Sequence, residues 1–181
     1  MDEQVLFITG ATGFLGRHIV QAALAHAPEA EIRLLIRGRG VPRLPDALTG
    51  RIRLIRGDIL HPESYQSALR GVDTVIHSAA LLSFNKTDRE AIFRTNVDGT
   101  RALLHAAAAN SCRNFIHISS ISAVGRQPGC LSDESLFPEL EALARDPYAF
   151  SKVRAEREVL RFSGQMRVVR ANVIWTHPGG L

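Results

Sequence analysis

The chain has 181 residues, of which 45% are hydrophobic and 22% charged, and its formal net charge is +4. That length suits one domain with a substantial core, and the composition excludes the disordered and fibrous classes. The small basic excess is scattered along the chain, without the clustering that a nucleic-acid surface needs.

Val5–Thr9 is a short apolar run closed by Gly10 and reads as a buried parallel strand. Phe14 to Ala25 carries Leu15, Ile19, Ala22 and Ala23 at helical spacing, and Pro28 stops that helix. Glu31–Arg37 is a second strand, followed by a Gly/Pro-rich stretch over 38–50 that reads as a surface loop or a poorly formed helix. Ile52–Arg56 is a third strand, and Pro62 to Leu69 a short helix with proline near its first turn. Thr74–His77 is a fourth strand, Asp88 to Asn110 a long helix and Asn114–Ser119 a fifth strand. Tyr148 to Phe162 is helical and Arg167–Ile174 is a sixth strand. This alternation predicts one α/β domain over 1–181, a Rossmann-type doubly wound parallel sheet in three α/β/α layers.

Gly10-Ala-Thr-Gly13-Phe-Leu-Gly16 joins the first strand to the first helix. Glycines let the backbone approach a diphosphate closely, and the helix end offers free N–H groups with partial positive charge. The spacing is G-x-x-G-x-x-G rather than G-x-G-x-x-G, but its place between strand and helix points to a nicotinamide dinucleotide. The second strand ends Ile36-Arg37-Gly38-Arg39 with no carboxylate. A carboxylate there suits the ribose 2′-hydroxyl of NAD and an arginine the 2′-phosphate of NADP, so NADP is expected and NAD is the alternative. Arg37 is the first choice for that contact and Arg39 the second.

Tyr148-Ala-Phe-Ser-Lys152 places two polar side chains on one helix face. The chain has only two tyrosines and two lysines, so this spacing is seldom met by chance. A neighbouring ammonium is expected to lower the phenol pKa and make Tyr148 a general acid/base. Ser120 closes the fifth strand, at the edge where α/β sheets bind ligands; its hydroxyl could polarise a carbonyl or simply form a turn.

Several motifs occur in order: Thr9–Gly16, Gly57-Asp58-Ile59, His77-Ser-Ala-Ala80, Asn96-Val-Asp-Gly-Thr100, His117-Ile-Ser-Ser120, Asp133-Glu134 and Tyr148–Lys152. Together they resemble the extended branch of the short-chain dehydrogenase/reductase superfamily, over nearly the whole chain. The resemblance implies that Tyr148 is the acid/base, Lys152 its activator and a ribose ligand, and Ser120 the carbonyl-polarising hydroxyl, with Ser122 a substitute. It implies cofactor contacts from Gly10, Thr12, Gly13, Phe14, Leu15 and Gly16. Asp58 and Ile59 would flank the adenine, Ala79 and Ala80 would line the ribose and phosphates, and Asn96 would support the site. Within the branch, Leu35-Ile-Arg37, Arg56–Pro62 and His77–Phe84 look most like NADP-dependent thioester and fatty acyl reductase domains. Epimerases, dehydratases and 3β-hydroxysteroid dehydrogenases share most of the motifs.

The chain departs from the pattern where Arg170-Ala171 and Trp175-Thr-His-Pro replace Arg-Pro and a Tyr-Gly-Pro-like turn. Typical members also continue into a C-terminal substrate lobe, which is expected to be largely absent here. The expected activity is hydride transfer to or from a small carbonyl or alcohol, an aldehyde or acyl thioester included. An epimerase that recycles the hydride and a non-catalytic dinucleotide-binding remnant or sensor are the rivals. Cys112 and Cys130 show neither metal-ligand nor disulfide spacing, so no metal is expected. The N-terminus lacks a signal-peptide pattern, so a cytoplasmic, reducing setting is expected. No membrane insertion and no nucleic-acid partner are expected, and a homodimer is among the open oligomeric states.

Overall fold

A computed structural model describes residues 4–38, 50–83, 85–124, 129 and 138–171. Six strands run parallel: β1 (Val5–Thr9), β2 (Glu31–Ile36), β3 (Ile52–Arg56), β4 (Thr74–His77), β5 (Asn114–Ile118) and β6 (Arg167–Ala171). Their order across the sheet is β3-β2-β1-β4-β5-β6. The chain therefore winds outward one way from β1 and the other way from β4, the doubly wound Rossmann arrangement.

Each face has its own core. On one face α1 (Phe14–His26) buries Val20 and Leu24 against Leu6, Ile8, Ile32, Leu34 and Ile36. The opposite face packs α3 (Gly99–Ala109) and α4 (Pro147–Arg161) over Phe7, Val75 and Phe115, through Leu103, Leu104 and Val159. Alternate residues of β1 thus serve both cores, which is why Val5–Thr9 is apolar without a period of two. Among the described residues no helix is long and apolar enough to cross a membrane.

α1 runs one residue longer than the sequence reading and α4 starts and ends one residue earlier, and other elements differ as well. The helix expected over 62–69 is two 3₁₀ turns, Pro62–Ser64 and Gln66–Leu69. They part at Tyr65, whose ring is fully buried and whose hydroxyl donates to the Ile59 carbonyl at 3.2 Å. The long helix is continuous but compound: α2 (Arg89–Phe93), a π turn (Arg94–Asp98), then α3. β2 stops at Ile36 and β5 at Ile118, one residue early, because the backbone leaves the sheet into the loops that carry Arg37 and Ser120. The last residues of the sixth strand, 172–174, lie outside the described residues.

Candidate active site at the carboxyl edge of the sheet

β1 and β4 are neighbours whose connections leave in opposite directions, so their carboxyl ends open a crevice. Gly10 floors it with φ +74°, a left-handed conformation. A Cβ on Gly10 would lie 2.6 Å from the Ala79 nitrogen and 2.7 Å from the Ser78 carbonyl carbon. A Cβ on Gly16 would strike the Gly10 carbonyl group. Gly13 donates its N–H to the Gly10 oxygen at 2.9 Å and caps α1 without any side-chain cap. The first amides of α1 are therefore left without a side-chain acceptor, and Thr12, Gly13 and Phe14 are exposed beside them with Leu15 half-buried. A diphosphate fits this cradle on charge and on steric grounds.

At the neighbouring strand ends, Arg37 is exposed and Gly38 is left-handed. Arg56, which the sequence reading did not single out, donates to the Gly38 carbonyl at 2.6 Å and fixes that corner. Its position at the end of the strand paired with β2 was the available signal. Arg39 lies outside the described residues. Asp58 accepts from the Leu60 N–H at 2.9 Å. The Ile59 side chain is buried and packs against Gly99. Ala79 is half-buried and Ala80 exposed.

The Tyr148 phenol and the Ser120 hydroxyl lie within interaction range of each other across the ends of α4 and β5. α4 starts cleanly because Asp146 accepts from the Ala149 N–H at 2.9 Å and Pro147 occupies its first turn. Lys152 is 2% exposed and donates to the Ile118 carbonyl at 2.8 Å. Here one expectation is corrected: the Tyr148 pKa is raised above its ordinary 10.0, not lowered. Burial raises it, the Ser120 hydroxyl opposes that, and the Asp146 charge adds to the rise. The Lys152 ammonium is directed at the strand, and burial pushes its own pKa down to about 8 against the pull of Glu156. Asn96 is spent internally: its oxygen accepts from the Leu81 N–H at 2.7 Å, and its nitrogen donates to the Leu81 carbonyl at 3.0 Å and to Ser151 Oγ at 2.9 Å. It positions the loop after β4 and the first turn of α4 rather than facing a ligand.

Over residues 6–180 the chain matches the model of the NAD dependent epimerase/dehydratase family. It belongs to that family. Human 3 beta-hydroxysteroid dehydrogenase type 7 is 33% identical over 169 residues, covering 89% of this chain and 45% of that one. A short-chain dehydrogenase/reductase superfamily structure from Agrobacterium tumefaciens with bound NAD superposes with a TM-score of 0.72 at 30% identity, over 93% of this chain and 48% of that one. The terminal R domain of the myxalamid PKS-NRPS pathway superposes with a TM-score of 0.79 at 27% identity, over 94% and 48%. The chain spans about half the length of the curated relatives it matches.

In this epimerase/dehydratase-family fold the sequence reading missed a buried polar cluster below Lys152. Glu156 takes a hydrogen bond from Ser119 Oγ and pairs with Arg170 Nη1 at 2.7 Å. Its signal was the i, i+4 spacing from Lys152 on α4. Deeper still lie His77 and His117, both fully buried, with ring centroids 5.3 Å apart. A cavity of about 500 Å³ between α2 and α4, walled by Phe93, Pro147 and Phe150, stands apart from this chemistry.

The buried histidines give the family member a defined acid limit. Burial and the Lys152 charge lower the His77 pKa from 6.5 to about 3, and His117 also falls well below 6.5. Below pH 6.5 an unfolded histidine takes a proton that the folded one refuses, so stability falls as pH falls through that window. His77 alone is expected to cost about 3 kcal/mol by pH about 4. Urea midpoints between pH about 4.5 and 6.5, above the carboxylate range, read this loss. His117→Phe should reduce the slope by one proton; an unchanged slope removes His117 from the account.

Proposed function

We propose that this chain is the dinucleotide-binding half of an NADP-dependent oxidoreductase that moves hydride between a nicotinamide and a small carbonyl or alcohol. The observation that carries the reading is the Tyr148–Ser120 hydroxyl pair, at the same carboxyl edge of the sheet as the Gly10–Ala79 crevice. The nicotinamide supplies the hydride when bound. Gly10, Gly13 and Gly16 let main-chain amides reach the diphosphate, with Thr12, Phe14 and Leu15 around them. Ala79, Ala80 and the backbone at Asp58 and Ile59 line the path toward the adenine.

Ser120 donates to the substrate oxygen as negative charge grows on it. Tyr148 delivers the proton to that oxygen in the reductive direction. Lys152, with Ile118 as its anchor, presents the cation for the ribose hydroxyls, and Asn96 holds the first turn of α4 in register. A raised Tyr148 pKa keeps the phenol protonated through the neutral range, which suits an acid rather than a base.

Arg37 supports NADP over NAD, with Arg56 holding the corner beside it. NADPH is expected to bind about tenfold or more tightly than NADH, and Arg37→Ala to remove most of that preference. Calorimetric titration with both cofactors tests this. Binding of neither sinks the reading; equal binding sinks the NADP assignment alone. A second reading, an epimerase that retains NAD, draws on the NAD-bound relative from Agrobacterium. It requires NAD to co-purify and no net consumption of NADPH.

A further inference from the structure

We infer that His77 is a positioning residue, held as a single neutral tautomer, that ties the glycine turn to the helix bearing Tyr148. The inference rests on the reading of that crevice as a dinucleotide site. A chain of hydrogen bonds, buried at its centre and passing through Asn96 itself, runs between the two. The Ala79 N–H donates to Thr9 Oγ1 at 3.2 Å, and Thr9 Oγ1 meets His77 Nδ1 at 2.8 Å. On the other side of the ring, His77 Nε2 meets Thr100 Oγ1 at 2.8 Å, and Thr100 Oγ1 donates to the Asn96 carbonyl at 2.7 Å. The Asn96 side chain donates to Ser151 Oγ at 2.9 Å, which donates to the Tyr148 carbonyl at 2.7 Å.

Proton counting settles every direction. The Asn96 carbonyl can only accept, so the single Thr100 proton is spent there. Thr100 Oγ1 must then accept from His77, which places the ring proton on Nε2. Nδ1 is left as an acceptor, and the Thr9 proton goes to it while Ala79 fills the Thr9 oxygen. The imidazole is thus donor on one edge and acceptor on the other. The groups facing the ring are Thr9 from β1, Thr100 from α3, Phe115 and His117 from β5, and Lys152 from α4. None is an anion, and the nearby ammonium disfavours a second ring proton.

Ala79 is the residue whose backbone nearly touches Gly10. Thr9, His77 and Thr100 therefore fix the width of the crevice, and Asn96 and Ser151 pass the same reference to Tyr148. A histidine that only filled space would not need this polarity.

Two measurements decide it. In a long-range 1H–15N spectrum of histidine-labelled chain, His77 is expected as the Nε2–H tautomer at pH about 5 as at about 8. An Nδ1–H tautomer, or an imidazolium at the lower pH, overturns the proposal. In Thr100→Val, isosteric and distant from the glycine turn, the Ala79 amide is expected to exchange at least about tenfold faster, with Thr100→Ser restoring the parent rate. Unchanged exchange in Thr100→Val overturns it also, because space-filling predicts that result. NADPH and NADH titrations of the same proteins read the crevice separately. If the parent binds neither cofactor while tautomer and exchange behave as expected, the dinucleotide reading fails and the coupling stands.

Discussion

A Tyr148→Phe chain is expected to bind its dinucleotide as tightly as the parent and to reduce carbonyl substrate about 10²–10⁴-fold more slowly. The substitution removes one oxygen. The half-buried ring, the Asp146 cap and the Ser151 bond to the Tyr148 carbonyl all remain, so the first turn of α4 stays in place. What is lost is the proton donor and the hydroxyl partner of Ser120. Ser120→Ala should cost about 10²–10³-fold, since it removes one donor aimed at the developing charge. The two losses should fall short of additivity in the double variant, because both hydroxyls act on the same substrate oxygen. With the Tyr148 pKa above 10.0, the reverse oxidation should speed up as pH rises toward that value while reduction holds steady. Steady-state rates with unchanged Kd for the cofactor test this; parent-like turnover of Tyr148→Phe would remove the phenol from the chemistry.

The parts of this site that could be read in the sequence are those fixed by local chemistry. Val5–Thr9 and Thr74–His77 are apolar because they lie inside a parallel sheet, and the glycine turn declares itself because only glycine tolerates φ +74° hard against another backbone. Tyr148 and Lys152 share a helix face at any helical phase. What could not be read depends on contacts distant in the chain. The π turn that brings both Asn96 and Val97 inward carries no periodic mark, because one extra residue in a turn leaves the apolar pattern on either side intact. The break at Tyr65 follows from a core that takes the whole ring, which a window of neighbours does not report. The sign of the Tyr148 shift was misread for the same reason. Spacing puts an ammonium one turn away, but only the fold shows that it turns toward the Ile118 carbonyl and that burial prevails. His77 looked like a motif letter; its role depends on hydroxyls 68 and 23 residues away.

The second large effect separates the glycines of the turn. Gly10→Ala meets two costs at once. A left-handed φ costs a non-glycine residue about 1–2 kcal/mol, and the new Cβ would sit 2.6 Å from the Ala79 nitrogen, where no flexible side chain can yield. Relief requires β1 and β4 ends to separate, and that also breaks the Ala79–Thr9 hydrogen bond. Both stability and affinity should fall, with NADPH binding weakened about 100-fold or more. Gly16→Ala keeps an allowed helical backbone but drives a methyl into the Gly10 carbonyl, so it should damage the turn in the same way. Gly13→Ala is the contrast. Its φ of −78° suits alanine, and its Cβ would meet only the Gly10 oxygen at 3.2 Å. Stability should shift by no more than about 1 kcal/mol, the scale of an N-cap change. On the proposed reading, any loss in Gly13→Ala should therefore appear mainly in Kd, where a diphosphate would meet the first amides of α1. Thermal melts and cofactor titrations on the three variants give the ranking. A Gly10→Ala chain that melts and binds like the parent would show that β1 and β4 do not approach as closely as 2.6 Å demands, and the cradle would lose its steric basis.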